Sequence, residues 1–198
     1  MNEQEIRRQW DAIAATYATR RDPDGSDAAL IGELRERLRR DPRVLDIGPC
    51  DGARTLANLP AGSVGVDISR EALALARETV PDAHLIQGDM TQLPITKEAV
   101  DGLTAYHAVF HVPRAQHPTV YREFARVLIP GGWLLMTLPG GSFETIRHEW
   151  MGGSMLFASP GRERTLAQLR EAGFEEIETT VADDPLGSST ECVFARRE

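Results

Sequence analysis

Cysteine is scarce: Cys50 and Cys192 are the only two in 198 residues. Two thiols cannot build a disulfide framework, and no Cys-x-x-Cys or Cys/His cluster has the spacing of a structural zinc site, so no metal is expected. Positive charge is also short. Twenty-two basic residues stand against 30 acidic ones, giving a formal charge of −8 and an isoelectric point near 5.2. Such a chain lacks the basic face that neutralises duplex phosphates, so nucleic acid is not an expected partner. Small anionic substrates stay compatible, because a pocket's local charge can differ from that of the whole surface. No apolar run approaches the roughly 20 residues that span a bilayer, which removes a membrane partner from the expectation. The opening MNEQEIRRQW is charged from its third residue, unlike a signal peptide. What is present, 41% hydrophobic and 26% charged residues without repeats or low-complexity tracts, is ordinary globular composition. One cytoplasmic domain over residues 1–198 is the expectation, with its oligomeric state left open.

The hydrophobic period alternates along the chain. Ile6, Trp10, Ile13, Ala14 and Tyr17 recur at helical spacing, and Asp22-Pro23-Asp24-Gly25 reads as a turn. Ser26 or Asp27 is a candidate cap for a second helix carrying Leu30, Ile31, Leu34 and Leu38. Strands are expected at 44–47, 63–66, 84–87, 100–105, 133–138, 174–181 and 190–195. Helices are expected from Gly52 through Leu59 and at 70–79, 119–128 and 162–172. Residues 139–160, with four glycines and two prolines, read as a loop-rich insertion. This alternation specifies an α/β fold: a doubly wound, mostly parallel seven-stranded sheet with its last strand antiparallel, plus N-terminal helices over 1–40 and a lid-like insertion.

In such a sheet, ligands bind beyond the carboxyl ends of the strands at the switch point, so the loop after the first strand matters most. It reads Val44-Leu45-Asp46-Ile47-Gly48-Pro49-Cys50-Asp51-Gly52. Asp67 ends the second strand 21 residues after Asp46, where a carboxylate can take two ribose hydroxyls. A nicotinamide dinucleotide would require Gly-x-Gly-x-x-Gly at 48, 50 and 53, but Cys50 and Ala53 occupy two of those positions. A side chain at the middle position obstructs close approach of a pyrophosphate, which disfavours a nicotinamide-dependent oxidoreductase.

Several separated segments resemble class I S-adenosylmethionine-dependent methyltransferases. VLDIGPCDG resembles the family's first motif, VGVDIS its ribose-binding acidic turn, and QGDMTQLP its adenine-side motif. RVLIPGGWLLMTLP and LREAGFEEIE resemble its later turn-and-strand and helix-to-strand segments, and WDAIAATYATRR is similar to its N-terminal lid helix. The resemblance implies S-adenosyl-L-methionine as cofactor, held by Tyr17, Arg21, Asp46, Gly48, Pro49, Cys50, Gly52, Asp67, Ile68, Asp89, Met90, Ala105 and Tyr106. Cys50 stands where the family's pattern has its middle glycine. That departure motivates an alternative of another class, a cofactor-binding protein without catalysis.

Methyl transfer mainly requires a held, aligned acceptor, and a general base only where the acceptor must lose a proton. Tyr106-His107-Ala108-Val109-Phe110-His111 follows the fourth strand, which makes His107 and His111 the catalytic candidates; as i, i+4 residues they would share one face of a helix. Neither the family's Asn-Pro-Pro-Tyr motif, absent where Thr104 to His107 stand, nor a twin-glutamate arrangement is recognisable. With the acidic charge, this favours a small-molecule substrate, whose pocket is expected to use Trp10, His107, Phe143, Trp150 and Met155, the last three from the 139–160 insertion.

Overall fold

The computed structural model describes residues 1–21, 28–183 and 189–198; the turn expected at 22–25 and the cap at Ser26 or Asp27 lie outside them. Two helices come first, α1 (Glu3–Arg20) and α2 (Ala28–Arg37). Asn2 and Glu5 form a capping box that starts α1, each side chain bonding the other's backbone N–H at 2.8–2.9 Å. Strands β1 (Val44–Ile47), β2 (Val64–Asp67) and β3 (His84–Gln87) follow, with α3 (Arg70–Thr79) between the last two. Then come β4 (Val100–Ala105), α4 (His117–Val127), β5 (Leu128–Thr137), β6 (Ser142–Trp150), β7 (Gly153–Pro160), α5 (Arg162–Glu171), β8 (Phe174–Asp183) and β9 (Ser189–Arg197).

Seven strands form one sheet in the order β3-β2-β1-β4-β5-β9-β8. The first four pairings are parallel, and β9 runs antiparallel to both β5 and β8, as the uninterrupted β8–β9 sequence predicts. Every residue of β1 and β4 is buried, as a parallel sheet covered on both faces requires. Leu45, Leu103 and Leu134 pack with Tyr121 and Phe124 of α4 and Leu169 of α5. Val44, Leu135 and Phe194 on the other face meet Leu30, Ile31 and Leu34 of α2. Among the described residues no helix is long and apolar enough to cross a membrane.

Two expected elements are different in the structure. No α-helix follows the first loop: the chain makes only a single 3₁₀ turn at Leu56–Asn58. The Thr55 hydroxyl donates to buried Asp46, and Ala57 N–H reaches back to Gly52 O at 2.9 Å, so the backbone leaves the helical path. Residues 139–160 are a β-hairpin rather than a loop, β6 paired with β7 in a separate two-stranded sheet. Met151 (φ +54°) and Gly152 (φ +89°) make its two-residue turn, both in the left-handed region that such hairpins use. The glycines read as loop markers are thus turn and flank residues. Smaller shifts extend the edges: β5 begins at Leu128, kinked through Gly131 (φ +79°), and β9 runs from Ser189 to Arg197.

Candidate active site

The chain runs outward from β1 to β3 on one side and from β4 on the other, so β1 and β4 flank the switch point. The carboxyl ends of β1, β2 and β4 open there onto a cavity of about 300 Å³. Its floor is the first loop. Gly48 has φ +67°, and a Cβ on it would lie 3.0 Å from the Cβ of Ala108, so glycine is required there. Cys50 also adopts a left-handed conformation, φ +54°, with its side chain buried among Ala14, Ala72 and Tyr17.

Asp67 closes β2 and is buried. Its Oδ1 accepts the Ser69 N–H at 2.8 Å and its Oδ2 accepts the Cys50 N–H at 3.1 Å, and the Ile68 N–H also acts on the carboxylate. Burial raises its pKa to about 6 despite those bonds, with Asp11 adding to the rise. Asp89 and Met90 line the next wall, Asp89 Oδ1 accepting the Thr91 N–H at 2.8 Å. Over the cavity lies one face of α1, carrying Ile6, Trp10, Tyr17 and Ala18, with Arg21 just beyond. The Arg21 guanidinium donates to the Tyr17 hydroxyl and sits 5.1 Å from the centre of its ring.

His107 is the second residue of the loop after β4, with φ +51°, and its N–H donates to Thr137 Oγ1 at 2.9 Å. His111 belongs to a separate 3₁₀ turn, Val109–His111, so the two histidines line one cavity without sharing a helical face. His111 Nδ1 lies 2.9 Å from Leu156 O, which fixes the neutral tautomer with Nδ1–H donating and Nε2 accepting. Its ring is enclosed by Trp10, Phe110, Trp150 and Phe157 at centroid distances of 4.6–5.9 Å. Burial accordingly pushes its pKa down to about 4.

Of the cofactor candidates, Tyr17, Arg21, Gly48, Pro49, Cys50, Asp67, Ile68, Asp89, Met90 and Tyr106 line the cavity, and so do Trp10, His107 and His111. Asp46, Gly52 and Ala105 do not. Asp46 is wholly buried behind the loop, accepting the Thr104 hydroxyl at 2.8 Å and the Thr55 hydroxyl, and burial raises its pKa to about 6. It ties the loop to β4 rather than facing the cavity. Phe143, Trp150 and Met155 form a second layer: Met155 is fully buried beside Ile13 and Phe157, and Trp150 packs on Trp10 at 6.0 Å. Asn2, Asp51, Arg54, Thr55 and Gln116 line the cavity without having been singled out from the sequence. Ile6 was recoverable, since it repeats the spacing of Trp10 and Tyr17; nothing in the local sequence marks Arg54.

A parallel sheet with a reversed final strand, a glycine-bounded loop after β1 and an acidic end to β2 defines the class I nucleoside-cofactor fold. Residues 45–136 match the family model described as a methyltransferase domain. The demethylmenaquinone methyltransferase of Chlorobaculum tepidum is 32% identical over 126 residues, which cover 62% of this chain and 46% of that protein. The indolepyruvate C-methyltransferase of Streptomyces griseus is 37% identical over 94 residues, covering 41% of this chain and 28% of that protein. The chain thus spans less than half the length of either relative. In fold it resembles the Burkholderia thailandensis 1,6-didemethyltoxoflavin-N1-methyltransferase, with TM-score 0.72 and 15% identity over 98% of this chain and 86% of that one. Sheet order and the match over residues 45–136 thus make this chain similar to the class I S-adenosylmethionine-dependent methyltransferases.

Cys50 is not the nucleophile of such a site. Burial, with Asp67 and Asp51 beside it, pushes its thiol up to about 12, so it carries no thiolate at neutral pH. Cys50→Gly is expected to relieve roughly 1 kcal/mol of left-handed strain and to lose a comparable amount of side-chain burial. Its melting temperature should therefore stay within about 4 °C of the parent, with undiminished affinity for S-adenosylhomocysteine, as thermal melts and calorimetry will show.

Proposed function

We propose that this protein transfers a methyl group from S-adenosylmethionine to a small-molecule nucleophile. One observation carries the reading: a single cavity gathers Asp67, the Asp89–Met90 pair and both histidines at the switch point. When bound, the cofactor supplies a methyl group on a positively charged sulfur, already activated for in-line displacement. The site suits it. Asp67 offers its carboxylate to ribose hydroxyls, Asp89 offers a carboxylate to an adenine amino group, and Ile68 and Met90 give apolar flanks to a flat ring. Gly48, Pro49 and Cys50 form the backbone floor, Tyr17 and Arg21 the cover, and Tyr106 the wall beside the acceptor. Asp46, Gly52 and Ala105 act from behind by shaping the loop and strand end.

Trp10 and His107 face the acceptor in this reading, with Phe143, Trp150 and Met155 supporting them. The His107 imidazole takes the acceptor's proton in this reading, and its left-handed backbone is the kind of local strain found at functional positions. His111 stays neutral at pH 7, so its Nε2 accepts a hydrogen bond from the acceptor's O–H or N–H without storing a proton. The two curated relatives named above carry small organic molecules in their names, which supports the same substrate class.

The test is calorimetric titration with S-adenosylhomocysteine, using NADH as control, followed by labelled-methyl transfer to a panel of phenols, enols and aromatic nitrogen heterocycles. Saturable binding of the first ligand alone and transfer to a panel member are expected; a folded protein that binds neither ligand refutes the reading. His107→Ala is expected to lower turnover about a hundredfold while leaving cofactor affinity within about twofold.

A further inference from the structure

α1 covers the cavity, yet its apolar face alone does not fix where it sits along the sheet. Asp11, half-buried on this helix, does that with one oxygen. Its Oδ1 accepts the Ser69 hydroxyl at 2.8 Å, the Arg70 N–H at 2.9 Å and, more distantly, the Glu71 N–H at 3.4 Å. These donors are the N-cap and first turn of α3, where unpaired N–H groups and the positive end of the helix favour a carboxylate. A residue of one helix thus caps another, 58 positions away in sequence.

The cap lies beside the ribose-binding position. Ser69, whose hydroxyl donates to Asp11, also gives its backbone N–H to Asp67, and Asp67 in turn accepts from Cys50 in the first loop. Asp11, Ser69, Asp67 and Cys50 therefore form a continuous hydrogen-bonded chain from the covering helix to the cavity floor. Gln9 Oε1, which accepts the Ser154 N–H at 3.0 Å, and Arg20, which donates to Met151 Sδ at 3.7 Å, tie α1 to the hairpin instead and touch none of these groups.

We infer that Asp11 is a positioning residue that clasps α1 over bound cofactor, so that the helix carrying Trp10, Tyr17 and Ala18 stays closed while Asp67 is occupied. This rests on the cofactor reading above. The clasp acts on release more than on entry, because a bound molecule leaves only as fast as α1 lifts from the α3 terminus.

The test uses the full chain and S-adenosylhomocysteine, with dissociation followed by stopped-flow tryptophan fluorescence and α1 amide exchange measured with and without ligand. Asp11→Ala is expected to raise the off-rate about tenfold and to abolish ligand-dependent protection of α1. Asp11→Asn keeps an acceptor oxygen and is expected to stay within about threefold of the parent. Ser69→Ala, which keeps the backbone donor to Asp67, is expected to give about a threefold rise and serves if Asp11→Ala does not fold. A merely structural cap would lower the melting temperature without changing the off-rate; an unchanged off-rate in the folded variant overturns the clasp while leaving the cofactor reading intact. No binding by the unaltered protein overturns both.

Discussion

Asp67→Ala is expected to cost at least a hundredfold in S-adenosylhomocysteine affinity, taking the calorimetric signal to baseline. In the proposed reading the carboxylate takes both ribose hydroxyls, and a charge-assisted hydrogen bond to each contributes about 1.5–3 kcal/mol. Losing both corresponds to two or more decades in Kd. The same substitution strips the partner from the Ser69 and Cys50 N–H groups. Each buried donor so exposed costs about 1–3 kcal/mol, so the melting temperature should fall as well. Asp67→Asn separates the effects: its shape is retained, but its amide turns a donor toward one of the two N–H groups. Binding measured well below each variant's melting point decides the matter, and parent-like affinity in folded Asp67→Ala would place the ribose elsewhere.

The second large effect is a cancellation that a single substitution should expose. Asp46 and Asp67 both have folded pKa values raised by burial to about 6. A raised carboxyl binds its proton more tightly when folded, so its stabilising contribution is present at low pH and is lost as pH rises through 6. His111 has a folded pKa lowered by burial to about 4. The unfolded chain then binds the proton more tightly, so stability drains away as pH falls below about 6.5. From pH 7 to pH 5 the two carboxyls add about 3 kcal/mol together and the histidine removes about 2 kcal/mol. These three groups therefore leave stability nearly flat across the range. His111→Gln removes the opposing part. Its stability relative to the parent is expected to improve by about 2 kcal/mol between pH 7 and pH 5, as urea unfolding at the two pH values will show. An unchanged difference would mean that His111 is not held neutral by burial. Ligand binding should move the other way, S-adenosylhomocysteine affinity falling about tenfold per pH unit well below pH 6 as Asp67 takes up its proton.

The sheet was legible because its signals are local and redundant. Val44–Ile47 and Val100–Ala105 are short apolar runs bounded by turns, and Ser69 announces α3 three residues before the N–H it caps. The hairpin was not legible for an equally local reason. β6 points most of its side chains to solvent, and its partner supplies the buried run, so neither strand alternates cleanly. The helix expected after the first loop failed through a long-range contact: Thr55 bonds Asp46, a partner that no window around Thr55 identifies as dominant. In the site, residues carried by a motif reached the cavity, as Asp67, Asp89 and His107 did. The exceptions are instructive. Asp46 has the family's position but is turned inward to Thr55 and Thr104, and Met155 has the right chemistry one layer too deep.

The missing helix after β1 has a bearing on which metabolites this protein ignores. A full α-helix starting at the first loop would aim a row of free N–H groups and the positive end of its dipole into the cavity, which is how related sheets seize phosphate groups. Here the loop closes into one 3₁₀ turn, the Cys50 N–H is already committed to Asp67, and four aspartates, Asp51, Asp67, Asp89 and buried Asp46, lie in or behind the walls. Nucleotides such as ATP and NADH share an adenosine with the expected ligand but would bring their phosphates toward these aspartates, with Arg54 the cation of that loop on the cavity wall. Weaker binding of ATP and NADH than of S-adenosylhomocysteine is therefore the expected outcome of the calorimetric titration, and it would follow from a structural omission rather than from any added contact.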